Sequence, residues 1–435
     1  MSTPANPIEE MMHRDRMTVS QRITILICFL MNVMDGMDVL VISFTAPKIS
    51  GEWGIPPQEL GWVFSAALIG MTVGALGLAP QADRIGRKAM ILICASLMGV
   101  SVFVTAFASN ITELIALRFV SGLGIGGMLA SASTLASEYA PRTSREFWVS
   151  LVMAGYPIGA VLAGMVAAAI IPASGWPAMY LCAGTLTLLS IPLILFFLDE
   201  SMEYLTKQRP VRALERVNAI LARMALPSLD QLPEVAVERK PASVRGLFGP
   251  GRTRQTLLLW VAFFNAFATL YFLLSWIPKL TSEAGLSERL GIYSGTVFNA
   301  GSFVGILVLG GLATKIGLRK TILIFLGSAA LLMMVFGLFS GSFLVLVMFG
   351  LIGFSMQGGF VGLYPVAAQL YPSEVRTTGV GWGIGAGRLG AVLGPIVAGY
   401  FVAAGLSLTL NFMIFAIPCL ISGGAAMAIR SKNVS

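Results

Sequence analysis

Apolar residues run along this chain in blocks of about twenty, separated by short polar stretches and without the strict alternation of a half-buried strand. Twelve blocks can be marked, at 23–44, 60–80, 89–108, 112–136, 147–171, 178–198, 256–276, 291–313, 320–341, 343–368, 379–403 and 406–429. A block of this length crosses a hydrocarbon core of about 30 Å as an α-helix, whereas the strands of a membrane barrel are shorter and alternate. The pattern predicts an all-α membrane protein with twelve transmembrane helices. Its expected organisation is an N-terminal tail (1–22), a six-helix half (23–198), a polar linker (199–255), a second six-helix half (256–429) and a C-terminal tail (430–435).

One constant offset, 231 residues, aligns the two halves in several places. Gly86 in "DRIGRK" falls on Gly317 in "TKIGLRK", Pro141 and Arg145 fall on Pro372 and Arg376, Gly122 falls on Gly353, and "GAVL" at 159–162 recurs at 390–393. An ungapped match over so many places marks two homologous halves. With six helices in each, both halves have the same orientation and are related by an axis along the membrane normal. Folds of this kind keep their site near the midplane between the halves and alternate access by rocking one half against the other.

Charge fixes the expected orientation. Only 11% of residues are charged and the net charge is +8. With the N-terminus inside, 24 of the 29 Lys and Arg fall in the tails and inside loops; Lys48, Lys279 and Arg289 fall outside, and Arg118 and Arg388 lie within apolar blocks. The positive-inside rule puts both termini in the cytoplasm and accounts for the basic excess, so nucleic acid is not an expected partner. The N-terminal segment is polar and has no cleavable signal pattern, so the first helix should be retained. The linker carries ten Lys/Arg and seven acids around "PVRALERVNAILARM", which reads as an amphipathic helix on the membrane surface. Four separate cysteines inside apolar blocks, with no CxxC spacing, read as small core residues. No Gly-x-x-x-x-Gly-Lys loop and no His-Glu-x-x-His set is present, so neither an enzyme nor a cofactor or metal is expected.

The first block contains "NVMDGMDVLV", which places Asp35 and Asp38 about three residues apart on one helix face near mid-bilayer. Charge there is costly unless it is paired or functional. A desolvated carboxylate beside a second one favours its protonated form, which suits a proton site. The single histidine, His13, lies in the tail, so any coupled proton must travel on carboxylates. Arg118 in the fourth block is the expected partner or modulator of that pair. The repeat positions of Asp35, Asp38 and Arg118 are Ala266, Thr269 and Phe349, so this cluster belongs to the N-terminal half alone.

Arg388 is the one charge in the interior of a block of the C-terminal half, Lys320 standing only at the edge of 320–341, and its repeat position is Pro157. A guanidinium in a cavity suits bidentate capture of a carboxylate, but intramembrane charges also pair with one another, and an ion pair with an Asp of the first helix is the competing reading. Phe264, Phe267, Tyr271, Trp276 and Tyr364 are candidate aromatic walls, Asn299 and Gln357 are candidate partners for ring hydroxyls, and each has a plain core or interhelical alternative.

Several motifs resemble known families. "APQADRIGRKAM" resembles the G-x-x-x-D-R-x-G-R-[RK] loop of the major facilitator superfamily, with Ala79 at the usual Gly, and "RFVSGLGIGG" resembles the R-x-x-x-G-x-G motif of its proton-coupled members. "DGMD", "RFVSGLGIGG" through "SEYAP", "DESMEYL" and "LYPSEVRTTGVGWGIGAGRLGAVLGP" together look like the aromatic acid/proton symporter family and span nearly the whole chain. The resemblance implies the major facilitator fold and a bacterial inner-membrane location. It also implies proton-coupled import of a small organic acid, most simply a benzoate or hydroxybenzoate, by a monomer in the lipid bilayer. It assigns gating to Asp83, Arg84, Arg87, Glu138, Arg145 and Arg376, with Asp83 docking on the start of helix eleven. Ala130 and Ser131 stand where hydroxybenzoate carriers often have Pro-Asn, which puts the exact substrate in doubt and marks Ser131 as a candidate contact. A carrier of another acid, such as muconate or nicotinate, would share every motif. Ala160 after Gly159 in "GYPIGAVLAG", where drug/proton antiporters have Pro, weighs against the antiport alternative, and a helix-packing role there is the simpler reading.

Overall fold

The computed structural model describes residues 17–233, 247–248, 252–338, 341–372 and 375–429. His13, linker residues 234–246 and the tail 430–435 lie outside the described residues. The spanning helices of the first half are α1 (Val19–Trp53), α2 (Pro57–Gly77), α3 (Arg87–Thr105) and α4 (Ile111–Tyr139), followed by Arg145–Phe197. This last element is broken at Gly175, whose φ of 79° only glycine adopts readily, into α5 (145–174) and α6 (176–197). The second half comprises α7 (Thr253–Glu283), α8 (Glu288–Ile316), α9 (Leu318–Val335), α10 (Ser342–Leu370), α11 (Arg376–Ala403) and α12 (Leu408–Ala428).

Helix α1 extends well beyond the apolar block at both ends. Thr18 and Gln21 form a reciprocal capping box at its start, and Gly54, at φ 64°, closes its end. The extra turns are polar because they stand outside the hydrocarbon core, where capping rather than hydropathy sets helix length. Up-and-down order puts the linker and the starts of α1 and α7 on one side of the bundle, the linker side. The α1–α2 and α7–α8 turns lie on the opposite, far side.

The repeat is written in backbone approaches. A Cβ at Gly122 would run into the Ala67 carbonyl, and one at Gly353 into the Phe298 carbonyl. A Cβ at Gly159 would meet the Val33 carbonyl, and one at Gly390 the Phe264 carbonyl. Each glycine and each carbonyl is displaced by the same 231 positions, so α2/α4 and α1/α5 cross as α8/α10 and α7/α11 do. Without hydrophobic drive between helices in lipid, such close crossings hold a bundle through van der Waals contact. Gly159 is thus a packing residue. Gly86 and Gly317 also correspond, at φ 102° and 90°, in the turns before α3 and α9.

The linker differs from its expected place. Ala213–Arg223 buries Val217, Ile220 and Leu221, packs with Met202–Gln208 rather than offering this face to lipid, and is tied to the bundle by Arg223 donating to Asp199 at 2.5 Å. An amphipathic stripe identifies a face that must be covered; it does not say by what.

The crossings give a paired test. Gly353→Ala should destabilise the protein by about 1–3 kcal/mol, because a backbone carbonyl cannot yield. Gly310→Ala, where a Cβ would meet nothing, should leave the melting temperature unchanged or raise it slightly. Equal melting temperatures of the two variants in detergent would contradict the assigned crossing.

Candidate functional site

Asp35 and Asp38 lie in the stretch of α1 that α5 covers most closely. A Cβ at Gly36 would run into the backbone of Tyr156, and Gly155 of α5 packs on the backbone of Phe29 and Val33. This approach leaves Asp35 only 1% exposed and Asp38 2% exposed. Arg118 of α4, fully buried, sets Nη1 2.9 Å from Asp38 Oδ1 and also donates to the Asp38 backbone carbonyl at 3.2 Å. The carboxylate contact has the distance of an ion pair without the alignment of a hydrogen bond, and Arg118 Nε and Nη2 have no hydrogen-bond partner among the described residues. The guanidinium instead lies 5.4 Å from the ring centre of Tyr180, whose hydroxyl is 3.2 Å from Thr45 Oγ1. Asp35 is different: neither of its oxygens has a hydrogen-bond partner among the described residues. Two adjacent carboxylates therefore stand in unlike surroundings, one against a cation and one against none.

The C-terminal half fills the equivalent positions without charge. Thr269 donates to the Phe415 carbonyl at 3.1 Å, Phe349 packs against Phe336 and Phe412, and Phe272 stacks on Phe415 with ring centres 3.9 Å apart.

Arg388 of α11 stands across the seam between the halves. Among the described residues no carboxylate lies within ion-pair distance of it; its Nη1 approaches the Met71 sulfur of α2 at 3.9 Å, and its guanidinium lies 5.9 Å from the centre of the Phe267 ring. Phe267 stacks on Tyr271 at 6.0 Å with an interplanar angle of 2° and meets the edge of Phe360 at 4.7 Å. Tyr364 meets Phe360 and Phe263 edge-on at 5.7 and 5.4 Å. Arg388, Phe267, Tyr271 and Tyr364 thus come together as one cation beside a wall of rings. Gln357 is half-buried on the same helix as Phe360 and makes no hydrogen bond among the described residues, whereas Asn299 donates to Gly295 O at 2.8 Å and Ser131 to Gly127 O at 3.0 Å, each within its own helix. Trp276 lies apart from this wall: it donates to Pro395 O at 3.0 Å and meets Phe64 edge-on at 5.3 Å.

The seam between α2 and α11 is closed from Arg388 outward. Ser65 donates to Val392 O at 2.7 Å, Gly61 packs on the backbone of Pro395 and Ile396, and Gly399 packs on Pro57. Ser43 donates to Leu274 O at 2.7 Å, and Lys279 donates to Ser50 at 2.8 Å. All these ties between halves are on the far side. Towards the linker, Gly77 of α2 and Gly381 and Gly385 of α11 have nothing near them that a Cβ would meet. The two halves are therefore zipped at one end and apart at the other, with Arg388 and Met71 where the zip ends.

The residues assigned to gating divide accordingly. Asp83 is 67% exposed and pairs with Arg87 at 3.2 Å in its own loop rather than with the start of α11, as fits an open linker side. Arg84 is exposed in the same single turn. Arg87 also binds Glu138 at 3.0 Å, and Glu138 accepts from Ser201 at 2.6 Å. Arg145 is exposed at the start of α5, and Arg376 donates to Tyr371 O at 3.4 Å within its own half.

Sequence reasoning missed the hub beneath these. Glu200 accepts from the Lys88 and Ser201 amides, both at 2.9 Å, and so sits on the N-terminus of α3, where unsatisfied amides favour a carboxylate. Tyr139 donates to the Glu200 carbonyl at 2.7 Å, Gln21 donates to the Tyr139 carbonyl at 2.9 Å, and Ser20 donates to Asp199. Acids inside "DESMEYL" thus tie α1, α3 and α4 to the linker; their position immediately after an apolar block was the available signal. Tyr156 was also missed, although it stands between Gly155 and Pro157 in a stretch singled out for its glycines.

A family model described as the Major Facilitator Superfamily matches residues 28–340 and 294–434. The chain is 33% identical over 417 residues to a "Gallate transporter" of Pseudomonas putida, covering 95% of this chain and 92% of that protein. It is 34% identical over 387 residues to the "4-hydroxybenzoate transporter PcaK" of Pseudomonas aeruginosa, covering 88% and 86%. Among solved structures it is similar to the xylose transporter XylE of E. coli in a partially occluded inward open conformation, with a TM-score of 0.69 at 18% identity over 93% of this chain and 96% of that one. That likeness shows a shared fold.

The unlike surroundings of the two carboxylates are open to measurement. Asp38→Asn or Arg118→Met breaks a buried pair and should destabilise the protein by about 3–5 kcal/mol. The double variant should recover most of this loss, and Asp35→Asn, which breaks no pair, should leave the melting temperature unchanged or higher. A melting curve of the Asp35 variant as low as that of the Asp38 variant would contradict the geometry.

Proposed function

Because the chain belongs to the major facilitator superfamily, we propose that it imports a small aromatic carboxylate together with protons by alternating access. The observation that carries this reading is Arg388: a cation without a carboxylate partner among the described residues, beside the Phe267–Tyr271 stack, at the point where the seam opens. A planar acid placed there would set its carboxylate on the guanidinium and its ring against rings. The 4-hydroxybenzoate and gallate named for the two relatives have this form. Gln357 and Tyr364 are the polar groups proposed to meet ring substituents. Ser131, whose one donor is spent on its own helix, is left with its acceptor oxygen, whereas Asn299 keeps a second N–H and its amide oxygen.

Protons enter through α1. Asp35, without a counter-ion among the described residues, is the group proposed to load and release the proton, while Arg118 holds Asp38 in place. An arriving anion satisfies Arg388 and an arriving proton neutralises Asp35, so that the loaded cavity carries less uncompensated charge than the empty one. Moving uncompensated charge through a closing, low-dielectric site is costly, and this cost couples the two ligands.

The basic linker side is assigned to the cytoplasm of a bacterial inner membrane, with both termini there. The conformation is then inward-facing. Ser43, Ser65 and Lys279 form the seal that must break for outward opening, and Asp83 and Arg87 belong to the gate that must close. The transporting unit is proposed to be the monomer, since both halves of the site lie in one chain.

Proteoliposome uptake across a panel of aromatic and aliphatic acids, with and without an inward pH gradient, tests the reading. Aromatic carboxylates should accumulate only with the gradient. Asp35→Asn should abolish accumulation while leaving exchange of labelled for unlabelled substrate, and Arg388→Lys should raise the half-saturation concentration of carboxylates. Gradient-driven accumulation by the Asp35 variant would remove the proton assignment, and unchanged half-saturation in the Arg388 variant would remove the anchor.

A further inference from the structure

One buried polar group at the centre of the molecule is used by nothing described so far. Tyr156 lies on α5 where that helix crosses α1, its backbone pressed against Gly36 between the two aspartates. Its hydroxyl is shielded from solvent and has no hydrogen-bond partner among the described residues. Buried hydroxyls are rarely left so, because the missing bond costs about 1–3 kcal/mol. By the 231-residue offset its neighbour Pro157 is the counterpart of Arg388, so Tyr156 of the N-terminal half and Arg388 of the C-terminal half stand at equivalent depth in the bundle. Tyr156 is therefore an unpartnered donor of the N-terminal half at the depth of the C-terminal half's arginine, which has no carboxylate partner among the described residues.

We infer that Tyr156 is a substrate-binding residue: its hydroxyl donates to the carboxylate that Arg388 anchors, so that one anion is held by both halves at once. The inference rests on the reading of the site given under Proposed function and adds to it a contact from the N-terminal half. The glycine crossing fixes the Tyr156 backbone against α1, so its side chain is presented from a firmly packed helix. The carboxylate has acceptor capacity left after a guanidinium takes one face. With the anion bound, the Tyr156 hydroxyl and the Arg388 guanidinium, which has no carboxylate partner among the described residues, are satisfied together. A ligand touching both halves also favours the conformations in which they approach, which is what a carrier requires of its substrate.

Tyr156→Phe tests this, because it keeps the ring and the backbone contact with Gly36 and removes only the hydroxyl. Exchange of labelled for unlabelled 4-hydroxybenzoate, and of gallate, should be measured at equal pH on both sides, so that no proton gradient contributes. Loss of a hydrogen bond to a charged group should raise the half-saturation concentration roughly tenfold or more. The melting temperature of the unliganded variant should stay level or rise, since an unsatisfied buried group has gone. An unchanged half-saturation concentration would overturn the inference, as would a rise accompanied by a lowered melting temperature, which marks a purely structural role. Absence of exchange by the unaltered protein with every acid in the panel would overturn the functional reading itself, and this inference with it.

Discussion

Everything at the centre of the N-terminal half is arranged around one contact, the fully buried Arg118 against Asp38. A guanidinium cannot shed its charge, and inside a bilayer it must find a counter-ion or water. Asp38 supplies the counter-charge, its backbone carbonyl supplies a second acceptor, and the Tyr180 ring covers another face of the cation. The helix crossing that buries the pair also buries Asp35, three residues away and without a cation of its own. The ion pair thereby turns two similar carboxylates into two chemically different groups.

The halves share a backbone plan and diverge in chemistry. At several crossings equivalent glycines meet equivalent carbonyls, so these crossings were retained while the side chains at the centre were replaced. One half received an ion pair and a lone acid; the other received stacked phenylalanines and, on a different helix, a lone arginine. Charge of opposite sign thus faces across the seam from two different positions of the repeat. An internally symmetric frame holds an asymmetric set of charges.

Conformation follows from the same seam. Small residues and serine hydroxyls zip α2 to α11 on the far side as far as Met71 and Arg388, and beyond this point the helices separate. The polar groups of the linker side are meanwhile engaged within the N-terminal half, with Glu200 on the start of α3 and Glu138 holding Arg87 and Ser201. This hub braces the first half on the side where the α2–α11 seam is open.

The sequence by itself determined the helical class, the division into halves and the presence of misplaced charge, because each is a one-dimensional consequence of bilayer thickness, duplication or desolvation cost. Hydropathy blocks of the right length, the 231-residue offset, and Asp35, Asp38, Arg118 and Arg388 within apolar runs were all legible without coordinates. Tertiary structure alone decided which charges meet. Arg118 had two aspartates to choose from and took Asp38; Arg388 was free to pair with α1 and instead faces rings and a methionine. It also showed that the linker stripe is covered by the chain itself, that Asp83 pairs with Arg87 in its own loop while Glu200 sits on a helix start, and that Tyr156 backs onto Gly36 between the two aspartates. These are matters of distance between segments far apart in the chain, and periodicity says which face of a helix is special but not what stands opposite it.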